Sequence, residues 1–258
     1  MKINHIYHGD CIDVMQREIA DNVIDMVYAD PPYNASGKSL NLVGNKTGGS
    51  FYKINEAWDA FSPDEYWRMT DNWIGEVRRV MSAKASFYVS CSMHNISEIL
   101  LAGKLHGLQL KNIITWYKPN AMPSISKRTF KHSTEYVCWF VAGSGWTFNY
   151  AETKKANLQR AKDGSLKQMP DMLEIPIVQG RERVRQANGR AAHPTQKPQR
   201  LLEVLITAST NPQDLVLDPF MGSGTTAYVA QQMGRKWIGI EREATYLKMA
   251  QERMKVLA

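Results

Sequence analysis

Apolar and polar positions divide this 258-residue chain into short apolar runs ending in turn residues, with segments of helical period between them. Asn22 to Ala29 (NVIDMVYA) is almost continuously apolar up to Asp30, which predicts a strand buried on both faces. Residues 34–56 are rich in Gly, Ser, Asn and Lys and read as a loop leaving that strand end. Ser62, Pro63 and Glu65 form a Ser-x-x-Glu capping box with proline in the first turn, and Tyr66, Trp73, Val77 and Val80 share one face of the helix it starts. Ser86–Ser90 predicts a strand, Ile96–His106 a helix stopped by Gly107, and Leu108–Trp116 and Glu135–Val141 two more strands.

Residues 143–192 hold no sustained period, are polar and basic, and are broken by Gly and Pro, so they read as an insert. Beyond it, Pro198–Ser209 is helical, with Leu201, Leu202, Leu205 and Ile206 apolar. Leu215–Leu217 is a short strand, Thr225–Met233 a helix ended by Gly234, Trp237–Ile240 a strand and Ala244–Val256 a helix. Strands alternating with helices predict an α/β fold: a doubly wound, mostly parallel sheet covered on both faces. Ligands of such sheets bind beyond the carboxyl ends of the strands.

Composition narrows the class. At 43% hydrophobic residues the chain can build a core. No apolar run approaches the roughly 18 residues of a spanning helix, and the opening MKINHIYHGD lacks the apolar stretch of a signal peptide. The expectation is a cytoplasmic protein with no membrane partner. Cys11, Cys91 and Cys138 are odd in number and far apart, which leaves neither a disulfide framework nor a metal knuckle, and no bound metal is expected. Lys111 to Thr134 carries five basic and no acidic residues, and Ala151 to Arg200 eleven basic against five acidic. Positive charge concentrated in two central segments suits a phosphate-facing surface; a solvated solubility face is the plainer alternative.

Two turns carry the chemistry. In Leu215–Thr226 (LVLDPFMGSGTT) a strand ends in Asp218, a Gly222-Ser223-Gly224 turn follows, and a helix starts at Thr225. Glycine allows close backbone approach, and a helix start offers free N–H groups. The next strand ends at Glu241, an acid able to accept from ribose hydroxyls. The dinucleotide fingerprint of an oxidoreductase needs a third glycine that is absent here, so a nucleoside site is the better reading. In Asp30-Pro31-Pro32-Tyr33 the prolines remove two N–H donors, leaving the Asp30 carboxylate and Pro31 carbonyl as rigid acceptors beside the Tyr33 ring. That set suits a flat group bearing an NH₂; the plainer alternative is a Pro-Pro turn capped by an acid.

Together these motifs resemble the amino-group DNA methyltransferases: Asp30–Tyr33 resembles their catalytic motif and Asp218–Thr226 their cofactor motif, with the catalytic motif first, as in the group called beta. His193-Pro194-Thr195-Gln196-Lys197-Pro198 resembles that group's cofactor-tail motif, and Gly9-Asp10-Cys11 the element that touches the cofactor's adenine. Asp at position 30 resembles the adenine-N6 enzymes; cytosine-N4 enzymes usually carry Ser there. The runs Ser92–Ile96 and His132–Glu135 resemble those of certain GATC adenine methylases. The resemblance implies a circularly permuted, Rossmann-like sheet of seven strands beginning at Asn4–His8. It also implies S-adenosylmethionine as cofactor and double-stranded or single-stranded DNA as partner, and leaves a homodimer open.

On that resemblance residues 1–142 and 193–258 form the catalytic domain and 143–192 an inserted target-recognition segment. Asp30, Pro31, Pro32 and Tyr33 are the expected catalytic residues. Asp10, Cys11, Asp30, Thr195, Lys197, Asp218, Phe220, Gly222, Ser223, Gly224, Thr225 and Glu241 are expected at the cofactor, with Lys197 against its carboxylate. Lys38, Lys127, Arg128, Arg181, Arg183 and Arg185 are expected at DNA, the last three along one face of an extended segment. Cytosine-N4 or RNA methylation, and nucleic-acid binding without catalysis, remain the competing readings.

Overall fold

A computed structural model describes residues 1–34, 61–124, 127–185, 189 and 191–255. Its elements in chain order are β1 (His5–His8), α1 (Cys11–Glu18), β2 (Ile24–Ala29), α2 (Pro63–Val80), β3 (Met81–Cys91), α3 (Ile96–Leu105), β4 (Gln109–Tyr117), β5 (Thr134–Val141), α4 (Tyr150–Ala156), β6 (Met172–Glu174), α5 (Gln199–Ser209), β7 (Leu215–Asp218), α6 (Thr225–Gln232), β8 (Lys236–Glu241) and α7 (Ala244–Lys255). Among the described residues no helix is long and apolar enough to cross a membrane.

Among the described residues one sheet holds the strands in the order β1-β8-β7-β2-β3-β5-β4-β6. All neighbours are parallel except β5, which runs antiparallel to both β3 and β4. Among the described residues the sheet has eight strands where seven were expected. The additional one is β6, which comes from the insert and pairs with β4 through Thr115 and Met172. Leu173, Ile175 and Val178 are buried, and Trp116 Nε1 donates to Ile175 O at 2.7 Å, so this part of the insert is built into the fold. Three strand residues, and the seven of α4, are too few to show a period in sequence.

Both faces of the sheet are covered, as the apolar run of β2 requires. Val27 and Ala29 face the layer of α1, α2 and α3; Met26 and Tyr28 face that of α5, α6 and α7. Burying a side chain the size of Val27 or Met26 is worth about 1.5–3 kcal/mol. The capping box forms as read: Ser62 Oγ accepts from Glu65 N–H, and Glu65 Oε2 accepts from Ser62 N–H at 2.9 Å. On its buried face α2 presents Trp73, whose ring meets Phe87 edge-on at 5.8 Å and Phe220 at 5.2 Å. Such pairs add about 0.5–1.5 kcal/mol each beyond area burial. Phe220 belongs to the turn after β7, so the same packing positions a site residue.

The chain leaves β2 through α2 toward β3 on one side, and leaves β7 through α6 toward β8 on the other. β2 and β7 are adjacent, with Val27 opposite Leu217. The connections diverge there, opening a crevice at the carboxyl ends of these two strands. The turns that begin at Asp30 and Asp218 face each other across it.

Candidate active site

A cleft of about 330 Å³ opens at this crevice. One wall is the Asp30–Tyr33 turn. Tyr33 Oη donates to Asp30 Oδ1 at 2.9 Å, and Tyr66 Oη, from α2, donates to Pro32 O at 2.9 Å. Asn95 Nδ2 donates in turn to Tyr66 Oη at 2.8 Å, so the turn is braced from two elements. Lys197 Nζ donates to Asp30 Oδ2 at 2.5 Å and lies 3.9 Å from Glu135 Oε2. Glu135 also accepts from Lys118 Nζ at 2.8 Å and from Tyr33 Oη at 3.5 Å. Two acids, two lysines and a phenol thus form one network, in which Lys197 is 7% exposed.

Electrostatics in this network follow from burial and pairing. Burial raises the Asp30 carboxyl above the usual carboxylate range, and Lys197 only partly offsets it. Burial also acts on Glu135, but Lys197 and Lys118 beside it outweigh that and hold it low. For Lys197, loss of solvent is outweighed by Asp30 and Glu135, which keep the ammonium charged.

The opposite wall is the turn after β7. Asp218 Oδ1 accepts from Phe220 N–H at 3.0 Å and Oδ2 from Thr226 Oγ1 at 2.5 Å, locking the turn onto the start of α6. Burial raises the Asp218 carboxyl to about 7. Gly222 has φ 49° and Gly224 φ 75°, left-handed values that favour glycine. Arg253 Nη1, from α7, donates to Ser223 O and Thr225 Oγ1, both at 3.0 Å. Glu241 closes the far end: Oε2 accepts from Gly222 N–H and Oε1 from Glu243 N–H, each at 2.7 Å. Asp10 caps α1, accepting from Ile12 N–H at 2.9 Å, and faces the same space.

A family model described as DNA methylase matches residues 24–252. The chain belongs to this family. It is 34% identical to the type II methyltransferase M.HinfI of Haemophilus influenzae over 98% of this chain and 68% of that one. It is 36% identical to M2.LlaDCHI of Lactococcus lactis subsp. cremoris over 96% and 88%. Among solved structures, the complex of M1.HpyAVI with SAM superposes with a TM-score of 0.68 at 27% identity, covering 97% of this chain and 98% of that one. The cytosine-N4-specific PvuII methyltransferase shares the fold, with a TM-score of 0.73 at 21% identity over 96% and 85%.

In this DNA methylase the expected catalytic residues Asp30, Pro31, Pro32 and Tyr33 all line the cleft. So do all the expected cofactor residues except Gly224, which lies off the wall and serves as the left-handed cap of α6. Lys197 is in the cleft with its ammonium on Asp30. Cys11 is buried and its thiol pushed far up by burial, consistent with a wall residue and not a nucleophile. His193 packs against Tyr246 with ring centroids 4.6 Å apart, and burial lowers it to about 4, so it is neutral at pH 7. The structure adds Glu135, which motif reading named only as the end of the run His132–Glu135 and gave no role in the site, and Lys118, which it named only among the basic residues. β5 is antiparallel, so its beginning, and not its end, lies at the carboxyl edge of its neighbours. The available signal was Glu135 itself, the first acid after the all-basic run from Lys111.

The residues expected at DNA are spread more widely. Lys127 and Arg128 are exposed between β4 and β5. Arg181 sits in a 3-10 turn (Gly180–Glu182), which breaks the extended segment expected for the three arginines. Arg183 lines a smaller pocket of about 160 Å³ beside Lys197 and Glu135, while Arg185 Nη1 donates to Gly189 O at 2.8 Å. Lys38 and most of the loop 34–56 lie outside the described residues; Asn34 Oδ1 accepts from Phe61 N–H at 2.9 Å, linking the two described flanks.

Proposed function

We propose that this protein transfers a methyl group from S-adenosylmethionine to the exocyclic N6 of adenine in DNA. The observation that carries the reading is the position of Asp30: its carboxylate stands at the crevice between β2 and β7, with the Tyr33 ring beside it and the Gly222–Thr225 turn opposite. Adenine N6 is a weak nucleophile because its lone pair is delocalised into the ring. Asp30 and the Pro31 carbonyl accept the two amine hydrogens, which localises the lone pair, and Tyr33 stacks on the base. This is catalysis by positioning and electrostatics, with no covalent enzyme intermediate. Burial raises the Asp30 carboxyl, which suits it to take up the proton that N6 gives up, while Lys197 beside it favours the ionised form.

The donor set of the other wall fits the cofactor. Asp10 and Glu241 offer carboxylates for hydroxyls, Phe220 and Cys11 offer apolar contact, and Gly222, Ser223 and Thr225 present turn backbone. When bound, S-adenosylmethionine supplies a methyl group on an electrophilic sulfonium. A base stacked in a duplex cannot reach this crevice, so the adenine enters flipped out or from a single strand.

Residues 143–192 and the loop 34–56 are assigned to target recognition. Lys38, Lys127 and Arg128 are assigned to phosphates, and Arg181, Arg183 and Arg185 to base edges. Asp at position 30, resembling the adenine-N6 enzymes, supports N6 over cytosine N4. The test is incubation with methyl-labelled S-adenosylmethionine and DNA or RNA, followed by digestion to nucleosides. N6-methyladenine from DNA is expected; label in N4-methylcytosine, or only in RNA, would overturn the assignment.

A further inference from the structure

Phe130 is 98% exposed, more than any other large hydrophobic side chain among the described residues. It sits between β4 and β5, where Lys127, Arg128, Lys131 and His132 are exposed too, within a stretch that holds no acid from Lys111 to Thr134. The root of this connection is fixed. Lys118 N–H donates to Ser133 O at 2.7 Å, Lys131 Nζ to Pro119 O at 3.2 Å, and Ser124 and Thr129 share a hydroxyl contact at 3.0 Å. The connection runs through Thr134, the first residue of β5, into Glu135, which joins the Asp30 network through Lys197. Five residues span at most about 18 Å, so Phe130 is tethered within that distance of Glu135.

Cations on this tip have an evident partner in DNA phosphates, but an apolar ring among them has none there. The base stack is the part of a duplex that accepts an aromatic side chain. Drawing an adenine into the crevice opens a gap in that stack, and an inserted apolar wedge offsets the cost of unstacking.

We propose that Phe130 enters the base stack beside the position vacated by the target adenine, making the β4–β5 connection the wedge that keeps the base out. This rests on the adenine reading above. The experiment uses the full chain and two duplexes carrying its mapped site, one with the target adenine paired and one with it opposite an abasic position. Phe130→Ala is expected to slow methylation of the paired duplex by at least about tenfold and to leave the unpaired target within about threefold, with cofactor affinity unchanged. Phe130→Trp is expected to retain paired-duplex activity and to show quenched fluorescence when that duplex is added. Equal slowing on both duplexes, or no slowing on either, would overturn the wedge. So would conversion of a dimer to a monomer by Phe130→Ala with rates unchanged, since the ring would then belong to a protein interface. Wild-type protein that methylates neither duplex would overturn the adenine reading itself.

Discussion

Lys197 Nζ donates to Asp30 Oδ2 at 2.5 Å across 167 residues of chain, and the same ammonium lies 3.9 Å from Glu135. The carboxylate assigned to the target amine is therefore tuned by one cation and one further acid. Replacing either neighbour should shift the acidic limb of the methylation rate in opposite directions. Lys197→Met removes the charge that favours ionised Asp30 and moves the limb to higher pH. Glu135→Gln removes the charge that opposes it and moves the limb to lower pH. A pH series of single-turnover rates reads both; shifts of the same sign would show that Asp30 does not set the limb.

Asp30→Ala should lower the methyl-transfer rate by at least about 10²-fold, as expected when one preorganised electrostatic interaction is removed. Cofactor affinity should change less than the rate, because most of the residues expected at the cofactor, from Asp218 to Thr225 and at Asp10 and Glu241, stand apart from the Asp30–Tyr33 turn. Full activity in this variant would remove Asp30 from the mechanism.

Glu241→Ala should weaken S-adenosylmethionine binding by about 1.5–3 kcal/mol, the range for a charge-assisted hydrogen bond. Glu241 also holds the Gly222 and Glu243 N–H groups at 2.7 Å, so part of the loss comes from a looser turn. Calorimetry that finds the affinity unchanged would remove Glu241 from the cofactor site.

Asp218 has a folded pKa of about 7, above its ordinary value of 3.8. The folded state therefore binds more protons than the unfolded one between those values, and this group's contribution to stability falls as pH rises from about 4 to about 7. Asparagine at 218 can accept from Phe220 N–H and donate to Thr226 Oγ1 without titrating. Relative to wild type, Asp218→Asn should gain stability across that window, by up to about 4 kcal/mol. Denaturant unfolding at a series of pH values measures the difference; a pH-independent difference would mean that Asp218 does not titrate in this range. His193, lowered to about 4, acts oppositely, its contribution being lost as pH falls below its ordinary 6.5, which is why the comparison is made between variant and wild type.

Neutralising Lys127 and Arg128 should reduce the salt slope of DNA binding by about one unit for each phosphate left without its cation, on any sequence. Changing Arg181, Arg183 or Arg185 should instead weaken discrimination between cognate and scrambled duplexes, by about 1–3 kcal/mol where one of them grips a guanine. Equal weakening on both duplexes would assign these arginines to phosphates.

Both chemical turns were legible along the chain because each is local: a buried apolar run, an acid, then prolines or glycines whose backbone limits are written in their own residues. The Ser62–Glu65 cap was legible for the same reason. Tertiary structure decided what lies between the turns. β2 and β7 are neighbours although 190 residues separate Asp25 from Leu215, whose N–H nonetheless donates to Asp25 Oδ2 at 2.9 Å. The reversal of β5 brings Glu135 to the edge where the parallel strands end. The network of Asp30, Lys197 and Glu135 exists only once sheet order and strand direction are set, because Coulomb forces act through space and no local period records which distant charges will meet.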